Sequence, residues 1–342
     1  MRWVYILDSQ FASVCPIPRN EYQWSRYTNG ECAEMEFGIM LSTFGQHADR
    51  ENLRRLSRRS EELGLDAIWA GDHITFPEEV PNDYPFLPDG RPPAGFDVYS
   101  DAYEAFTLLS HLAGITDDMR VGVNVAIVPY RHPIILARNA ISTHALADDK
   151  FEFGVGLGWM DAEFERLDVP FEERGPRTDE FLEMWEKICE EGDIGFDGPF
   201  HSFETCGFFP QPSKGDPPVW IGGHSMPAYR RLAKYGMGWT TVWDRPPALR
   251  DELQKVHKAW DEQNRSGKPE VSVMRSIHVG TDTELDDSRP LIGSADDVIE
   301  DVQEYDDAGA TRITIDFFTK DHDEQLEQLE RFGSEVIPSF KS

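Results

Sequence analysis

The sequence predicts a single closed barrel of alternating β-strands and α-helices, a (β/α)8 TIM-barrel fold of the α/β class. Eight short apolar segments each precede an amphipathic helical segment within residues 35–342. Strand–helix units repeated in this way produce parallel strands, and eight of them favour a closed barrel over an open sheet. No long polar linker interrupts the series, so we expect residues 35–342 to form one domain.

The predicted strands are short runs rich in β-branched and aromatic residues, bounded by turn residues. They are residues 36–41, 66–71, 120–127, 151–156, 219–223, 238–243, 271–279 and 311–317. The predicted helices repeat apolar residues with a period near that of an α-helix. They are residues 49–63, 101–115, 133–147, 178–191, 225–235, 246–264, 295–308 and 322–334.

Two connections are longer than is usual in such a barrel. Residues 73–100, after strand 2, are rich in proline, glycine and aromatic residues, and residues 192–218, after the strand 4 unit, resemble a short hairpin. Long connections at the top of a barrel commonly shape a substrate pocket, which is the expectation for both insertions.

Residues 1–34 show no helical period and carry isolated aromatic residues. Met35 stands directly before the first strand. We interpret residues 1–34 as an N-terminal extension that is either disordered or upstream of the true start; the alternative is an ordered N-terminal arm.

The chain is strongly acidic, with 63 Asp and Glu against 33 Lys and Arg and a net charge of −30. Such a surface repels nucleic acids and anionic membranes, so partners of both kinds are excluded. Acid dispersed along the whole chain with little lysine is typical of proteins that work at high salt, where charge repulsion is screened. We infer a halophilic, haloarchaeal source, with an ordinary acidic protein as the alternative.

The four cysteines do not form a CxxC motif or lie beside a histidine at zinc spacing. They are Cys15, Cys32, Cys189 and Cys206. This usage fits a reduced cytoplasm, and no metal site is predicted. No apolar run approaches the length of a membrane span.

In barrels of this type the active site lies at the C-terminal ends of the strands. His73 follows strand 2 and is the candidate acid/base, because an imidazole can exchange a proton near neutral pH. The alternative is a structural histidine that caps a loop. Asp72 could orient His73 or hydrogen-bond neighbouring backbone.

Strands 3 and 4 carry two further signals. Asn124 is a polar residue in a strand that faces the barrel interior, and it could mark a bulge with or without a bound ligand. Gly156 and Gly158 flank Leu157 before Trp159. Such glycines leave backbone amides accessible to a flat or anionic ligand, although tight strand-to-helix turns also use glycine for geometry alone.

Strand 5 ends in Gly222, Gly223, His224 and Ser225 ahead of a helix. Bare amides, a hydroxyl and the positive end of a helix together form an anion site. Ser225 could also be a simple N-cap, and the two roles are compatible.

Glu163 and Arg174 lie on the connection after strand 4, where they could pair and hold that loop or be ordinary surface charges. The sequence contains no nucleophile elbow, HExxH motif, Walker loop or complete Rossmann fingerprint. A bound cofactor is therefore expected to supply the reactive chemistry.

Four segments resemble the bacterial luciferase-like flavin family, and within it the branch that depends on the deazaflavin coenzyme F420. They are DAIWAGDHITFP (66–77), DAYEAFTLLSHLAGITDDMRVGVNVAIVPYRHPIILAR (101–138), FEFGVGLGWMDAEFERLDVPFEERGPRTDE (151–180) and PPVWIGGHSMPAYRRLAKYGMGWT (217–240). Agreement of several motifs in order is more specific than any single motif.

This resemblance implies a flavin or deazaflavin ring over the strand ends, with His73 near its reactive carbon. It implies that Asn124-Val125 is the strand-3 bulge, often a non-proline cis peptide, that backs the ring. The residues expected to contact the cofactor are Asp72, Asn124, Val125, Gly156, Gly158, Trp159, Gly222, Gly223, His224 and Ser225. It also implies a homodimer.

Two departures from the family pattern stand out. The usual Leu-Ser-Gly-Gly-Arg turn before strand 4 is replaced by residues 146–150, LADDK. Trp159 occupies a position where the sugar-phosphate dehydrogenase branch carries a glutamate, which argues against sugar-phosphate oxidation.

The expected function is that of a cytoplasmic oxidoreductase that transfers a hydride between coenzyme F420 and a small organic substrate. One alternative is an FMN-dependent monooxygenase that uses reduced flavin and oxygen. A second alternative is a flavin-binding barrel without turnover.

Overall fold

The computed structural model describes residues 34–45, 48–78, 101–242, 244–281 and 289–341. The strands within these residues are β1 (Glu36–Leu41), β2 (Ala67–Ala70), β3 (Arg120–Ile127), β4 (Phe151–Gly156), β5 (Asp193–Asp197), β6 (Ser202–Gly207), β7 (Val219–Gly222), β8 (Gly238–Val242), β9 (Glu270–Val279), β10 (Ile292–Gly293) and β11 (Arg312–Phe317). The helices are α1 (Arg50–Glu62), α2 (Ala105–Ala113), α3 (Pro133–Leu146), α4 (Asp161–Arg166), α5 (Arg174–Glu191), α6 (Met226–Tyr235), α7 (Pro246–Glu262), α8 (Ala295–Ala308) and α9 (His322–Arg331).

Eight parallel strands close into a barrel in the order β1-β2-β3-β4-β7-β8-β9-β11, and β11 pairs with β1 to complete the ring. The short strand β10 extends β9. Every predicted barrel strand is present within one residue at each end, which confirms the predicted fold class. Helix α4 was not among the predicted helices, because its single turn and a half is too short to show a period.

The N-terminal half of the barrel interior is filled by a buried ion cluster. The Arg312 guanidinium donates to both carboxylate oxygens of Glu152 at 2.6 and 2.8 Å and to Glu36 at 2.7 and 2.9 Å. Trp69 donates to Glu152 at 2.6 Å, and Arg312 lies 4.7 Å from the centroid of a Trp220 ring. These side chains occupy the lower interior, and the open space of the barrel lies toward the C-terminal ends of the strands.

The second insertion, residues 192–218, lies away from this open space. Strands β5 and β6 pair as the antiparallel hairpin that the sequence predicted. The hairpin packs on α5, where His201 contacts Glu180 at 2.7 Å. No residue of 192–218 lines the central cavity, so the expectation that this insertion shapes the pocket is wrong. The insertion follows a helix and precedes a strand, and such connections lie at the opposite end of a barrel.

Two predicted regions lie largely outside the described residues: residues 1–33 of the N-terminal extension and residues 79–100 of the first insertion. Met35, at the start of the predicted domain, is 4% exposed and belongs to the core. No helix among the described residues combines the length and apolar character needed to cross a bilayer.

Candidate active site

A cavity of about 870 Å³ opens at the C-terminal ends of the barrel strands. Every residue that the sequence proposed for the site lines this cavity. They are Asp72, His73, Asn124, Val125, Gly156, Gly158, Trp159, Gly222, Gly223, His224 and Ser225. Residues separated by more than 150 positions are therefore brought together by closure of the barrel.

His73 is held by a buried carboxylate. Its Nδ1 atom lies 2.7 Å from Oε2 of Glu163, which is 0% exposed. Glu163 Oε2 also accepts a hydrogen bond from the Tyr130 hydroxyl at 2.8 Å. Its Oε1 accepts hydrogen bonds from the backbone amides of Ile74 and Thr75 at 2.9 and 3.1 Å. Glu163 therefore holds both the imidazole of His73 and the backbone that follows it.

Helix α4 positions this carboxylate, because it begins at Asp161 directly after the β4 loop and turns Glu163 inward. Burial raises the pKa of Glu163, but its contacts with His73, Thr75 and Tyr130 outweigh burial, and the net pKa is lowered. The same environment raises the pKa of Tyr130, chiefly through burial and then through the adjacent charge of Glu163. Glu163 is thus an anion and Tyr130 a neutral donor at neutral pH.

Asp72 accepts hydrogen bonds from residues at and just after the end of β3, and His73 is not among these partners. Its carboxylate accepts two hydrogen bonds from Arg131, both at 2.7 Å, and one from the backbone amide of Ile127 at 2.9 Å. The expected backbone hydrogen bond is present, and the orienting partner of His73 is Glu163 instead. Asp72 lines the cavity, and its contact with a cofactor stays a prediction.

The polar residue in strand 3 marks a bulge, as one of the sequence interpretations proposed. The β3–β4 register shifts between Val123 and Ala126, and the Asn124-Val125 peptide is cis. The Asn124 side-chain oxygen accepts a hydrogen bond from the Thr240 hydroxyl at 3.1 Å. The side-chain oxygen of this partly buried residue is therefore satisfied by the strand across the barrel.

The glycine at the end of β4 makes room for this bulge. A Cβ atom at Gly156 would overlap Val125 Cγ2, and one at Gly222 would lie 3.1 Å from Val125 Cγ1. Gly158 has a φ of +79°, and a Cβ there would lie 2.7 Å from Ile127 Cγ2. These glycines thus allow the walls of the cavity to approach each other, in addition to any contact that they make with a ligand.

The predicted anion site combines a helix start with the side chains of His224 and Arg174. Ser225 caps α6 by accepting a hydrogen bond from the Ala228 amide at 3.4 Å. His224 Nε2 lies 2.8 Å from an Asp244 carboxylate oxygen, which orients the ring. Arg174, at the start of α5, also lines the cavity.

Arg174 stacks 3.7 Å above the Phe171 ring centroid and donates to the Phe171 carbonyl at 2.7 Å. Its buried Nε atom has no hydrogen-bond partner among the described residues. The predicted pair between Glu163 and Arg174 is wrong, because Glu163 turns toward His73. The guanidinium instead faces the same cavity as the start of α6.

A family model described as luciferase-like monooxygenase matches residues 35–287 of the chain. The chain belongs to the luciferase-like monooxygenase family. Members of this family are oxidoreductases or monooxygenases, which supports an enzymatic role for the cavity.

Two sequence relatives illustrate the range of this luciferase-like family. An uncharacterized protein of Mycobacterium tuberculosis is 26% identical over 290 residues, which cover 82% of this chain and 93% of that protein. The oxygenase component of the flavin-dependent trigonelline monooxygenase of Acinetobacter baylyi is 24% identical over 242 residues, covering 68% of this chain and 60% of that protein.

Among solved structures, the coenzyme F420-dependent tetrahydromethanopterin reductase of Methanopyrus kandleri superposes with a TM-score of 0.71. It is 18% identical and covers 90% of this chain and 100% of its own. At that identity the likeness establishes the fold. Flavin-dependent and F420-dependent proteins are thus both similar to this luciferase-like chain.

Sequence reasoning did not assign Glu163 to His73 or place Arg174 in the cavity. For Glu163, one signal was available: an acidic residue in the first turn of the helix that directly follows the glycine loop of β4. The pattern could not name its partner, because His73 lies 90 residues away.

Proposed function

We propose that this protein is a coenzyme F420-dependent oxidoreductase that transfers a hydride between the deazaflavin and a small organic substrate. The observation that carries the proposal is the contact between His73, which lines the cavity, and the buried carboxylate of Glu163 behind it. Hydride transfer to or from an oxygen- or nitrogen-bearing carbon requires a proton to move at the heteroatom, and an oriented histidine is suited to that task.

The residues of the cavity fit a cofactor of this kind. Its volume lies within the range of about 300 to 1,000 Å³ that is usual for small-molecule sites. Val125 and Leu157 offer apolar contact for a flat ring. The start of α6 and the guanidinium of Arg174, which lines the cavity, offer donors for a phosphate-bearing tail.

When bound, the deazaflavin supplies the carbon that gives or accepts the hydride. The chain's own residues manage the proton. Glu163, as an anion, accepts a hydrogen bond from the Nδ1–H of His73, so Nε2 is the nitrogen that exchanges a proton with the substrate. Glu163 also accepts hydrogen bonds from the backbone amides of Ile74 and Thr75. These bonds restrain the backbone that follows His73. These contacts supply orientation before the substrate arrives.

A second candidate is an FMN-dependent monooxygenase that uses reduced flavin and oxygen. It is favoured by the sequence similarity to the flavin-dependent trigonelline monooxygenase component. The same cavity would hold either cofactor, because FMN and coenzyme F420 share a tricyclic ring and a phosphate-bearing side chain.

The deciding experiment is a fluorescence titration of the cofactor-free protein with coenzyme F420 and with FMN at high salt. We expect tighter binding of the deazaflavin, and a mass spectrum of any co-purifying cofactor should agree. Tighter binding of FMN would overturn the assignment in favour of the second candidate.

Turnover supplies an independent check of the proton-transfer role. His73→Ala should lower turnover by about 10²-fold, the scale of a general acid/base, with little change in cofactor affinity. His257→Ala is the matched control, since His257 lies on α7 and does not line the cavity. Equal turnover in the two variants would remove His73 from the mechanism.

A further inference from the structure

The carboxylate of Glu163 receives four hydrogen bonds, and two of them reach the same oxygen. The Oε2 atom accepts from His73 Nδ1 at 2.7 Å and from the Tyr130 hydroxyl at 2.8 Å, whereas Oε1 accepts from the amides of Ile74 and Thr75. An ionised carboxylate offers about four lone-pair sites, so these donors use its whole capacity. Because the Glu163 side chain is 0% exposed, the four donors determine how its charge is shared.

The Tyr130 ring is held where its hydroxyl reaches this oxygen. Tyr130 closes the 3₁₀ turn Val128–Tyr130 directly after β3 and is 6% exposed. Its ring packs edge-on against Phe164, with 5.0 Å between the ring centroids, and Phe164 follows Glu163 on α4. The hydroxyl and the carboxylate therefore keep one relative position. Tyr130 does not line the cavity, so it acts on a bound ligand only through other side chains.

Two donors to one carboxylate oxygen compete for the same negative charge. Burial and the charge of Glu163 raise the pKa of Tyr130, so the phenol is a neutral donor at neutral pH. Its hydrogen bond draws on the charge that Oε2 would otherwise offer to the Nδ1–H of His73. Both interactions are stronger in a buried site than in water. The hydroxyl thus weakens the electrostatic hold of Glu163 on His73 while the geometry stays fixed.

The other charged groups beside this cluster are paired with one another. Asp72 precedes His73 in the chain and Arg131 follows Tyr130, and their side chains form two hydrogen bonds of 2.7 Å. Arg131 also donates to Glu104 at 2.8 Å. The buried carboxylate on α4 is therefore the charge that acts most directly on the imidazole, and the donors that share it control its effect.

We propose that Tyr130 is a positioning residue that tunes His73 through the shared oxygen of Glu163. A carboxylate whose charge was concentrated on one partner would favour the imidazolium and hold its proton. Acid/base catalysis instead needs a group that both takes up and releases a proton. The Tyr130 hydroxyl meets this need by sharing the charge of Glu163. The use of this contact in turnover rests on the proposed function.

The test is Tyr130→Phe in the cofactor-free protein, which keeps the ring and its packing on Phe164 and removes only the hydroxyl. We expect the Nδ1 proton resonance of His73 to move downfield in proton–nitrogen NMR spectra, because its hydrogen bond to Glu163 becomes stronger. The pKa of Glu163 should rise by up to about 1 in carbon NMR titrations, because one of four hydrogen bonds to its charged form is lost.

Two further proteins separate the hydrogen bond from packing. Tyr229→Phe is the matched control, because Tyr229 is also buried, donates to the Glu252 carboxylate and does not line the cavity. It should leave both readouts unchanged. 3-Fluorotyrosine at position 130 is a stronger donor and should move the His73 resonance upfield. An unchanged resonance in Tyr130→Phe, or the same change in Tyr229→Phe, would overturn the proposal, even if Tyr130→Phe loses stability.

The cofactor-loaded enzyme separates this inference from the proposed function. In Tyr130→Phe the limb of the pH–rate profile that reports His73 should move to higher pH, which a loss of stability alone would not cause. A changed Nδ1 resonance with an unmoved profile would support the contact and contradict the role of His73 in turnover. An unchanged resonance would overturn the role of Tyr130, whichever cofactor binds.

Discussion

Replacing Glu163 with glutamine should disable the candidate acid/base while preserving the shape of the site. The glutamine Oε1 can still accept the Ile74 and Thr75 amides, which lie 2.9 and 3.1 Å from the carboxylate. At the other position an N–H₂ group replaces the oxygen that lies 2.7 Å from His73 Nδ1. Two donors cannot face each other, so Nδ1 must become the acceptor and the imidazole proton must move to Nε2. The nitrogen that faces the substrate is then in the wrong protonation state.

The size of the effect follows from these contacts. A wrong histidine tautomer with intact geometry should lower turnover by about 10²- to 10⁴-fold. The free energy of unfolding should fall by about 2 kcal/mol, because a hydrogen bond to a charged group is lost and Tyr130 must reorient. Cofactor affinity should change little, since Glu163 does not line the cavity.

The stability cost should depend on pH. The folded-state pKa of Glu163 is lowered below its unfolded value, so ionised Glu163 contributes stability above the unfolded pKa of about 4.3. That contribution is lost as pH falls through the folded pKa. The stability difference between wild type and Glu163→Gln should therefore be largest near neutral pH and should shrink in acid.

The assay is single-turnover absorbance of the bound deazaflavin, combined with nitrogen NMR of the His73 ring to identify its tautomer. Glu180→Gln is the matched control, because Glu180 is also buried and contacts a histidine Nδ1, that of His201, at 2.7 Å, outside the cavity. It should lose stability without losing turnover. The reasoning is refuted if Glu163→Gln turns over as wild type or keeps the wild-type His73 tautomer.

Three further outcomes are expected. Gly156→Ala should destabilise the protein by about 1 to 3 kcal/mol in denaturant titrations, because its Cβ overlaps Val125; a fully stable variant would show that the bulge can shift freely. Asp316→Asn should stabilise the cofactor-free protein at neutral pH by up to about 3 kcal/mol, since the folded-state pKa of Asp316 is raised. This gain should disappear as pH falls from about 6 toward 4, where the wild-type carboxyl becomes protonated, and calorimetry across that range checks it. The melting temperature should rise with KCl concentration because the net charge of −30 is screened; a melting temperature independent of salt would contradict the halophilic interpretation.

Local patterns in the sequence determined the barrel and the position of its mouth. Strand periodicity identified all eight barrel strands, because a buried parallel strand must be a short apolar run whatever packs against it. Once the strands are parallel, their C-terminal ends meet at one face. Polar and glycine residues there, such as His73, Asn124 and Gly222, could therefore be assigned to one cavity from the sequence alone.

The tertiary structure alone decided which side chains meet. Glu163 is one of many acidic residues in this chain, and only the folding of α4 against the β2 loop makes it the partner of His73. Asp316 reads as an ordinary strand residue until the barrel closes and leaves one of its oxygens without a partner. Periodicity reports which face of an element is buried, whereas partners and desolvation depend on contacts between residues far apart in the chain, which no local pattern encodes.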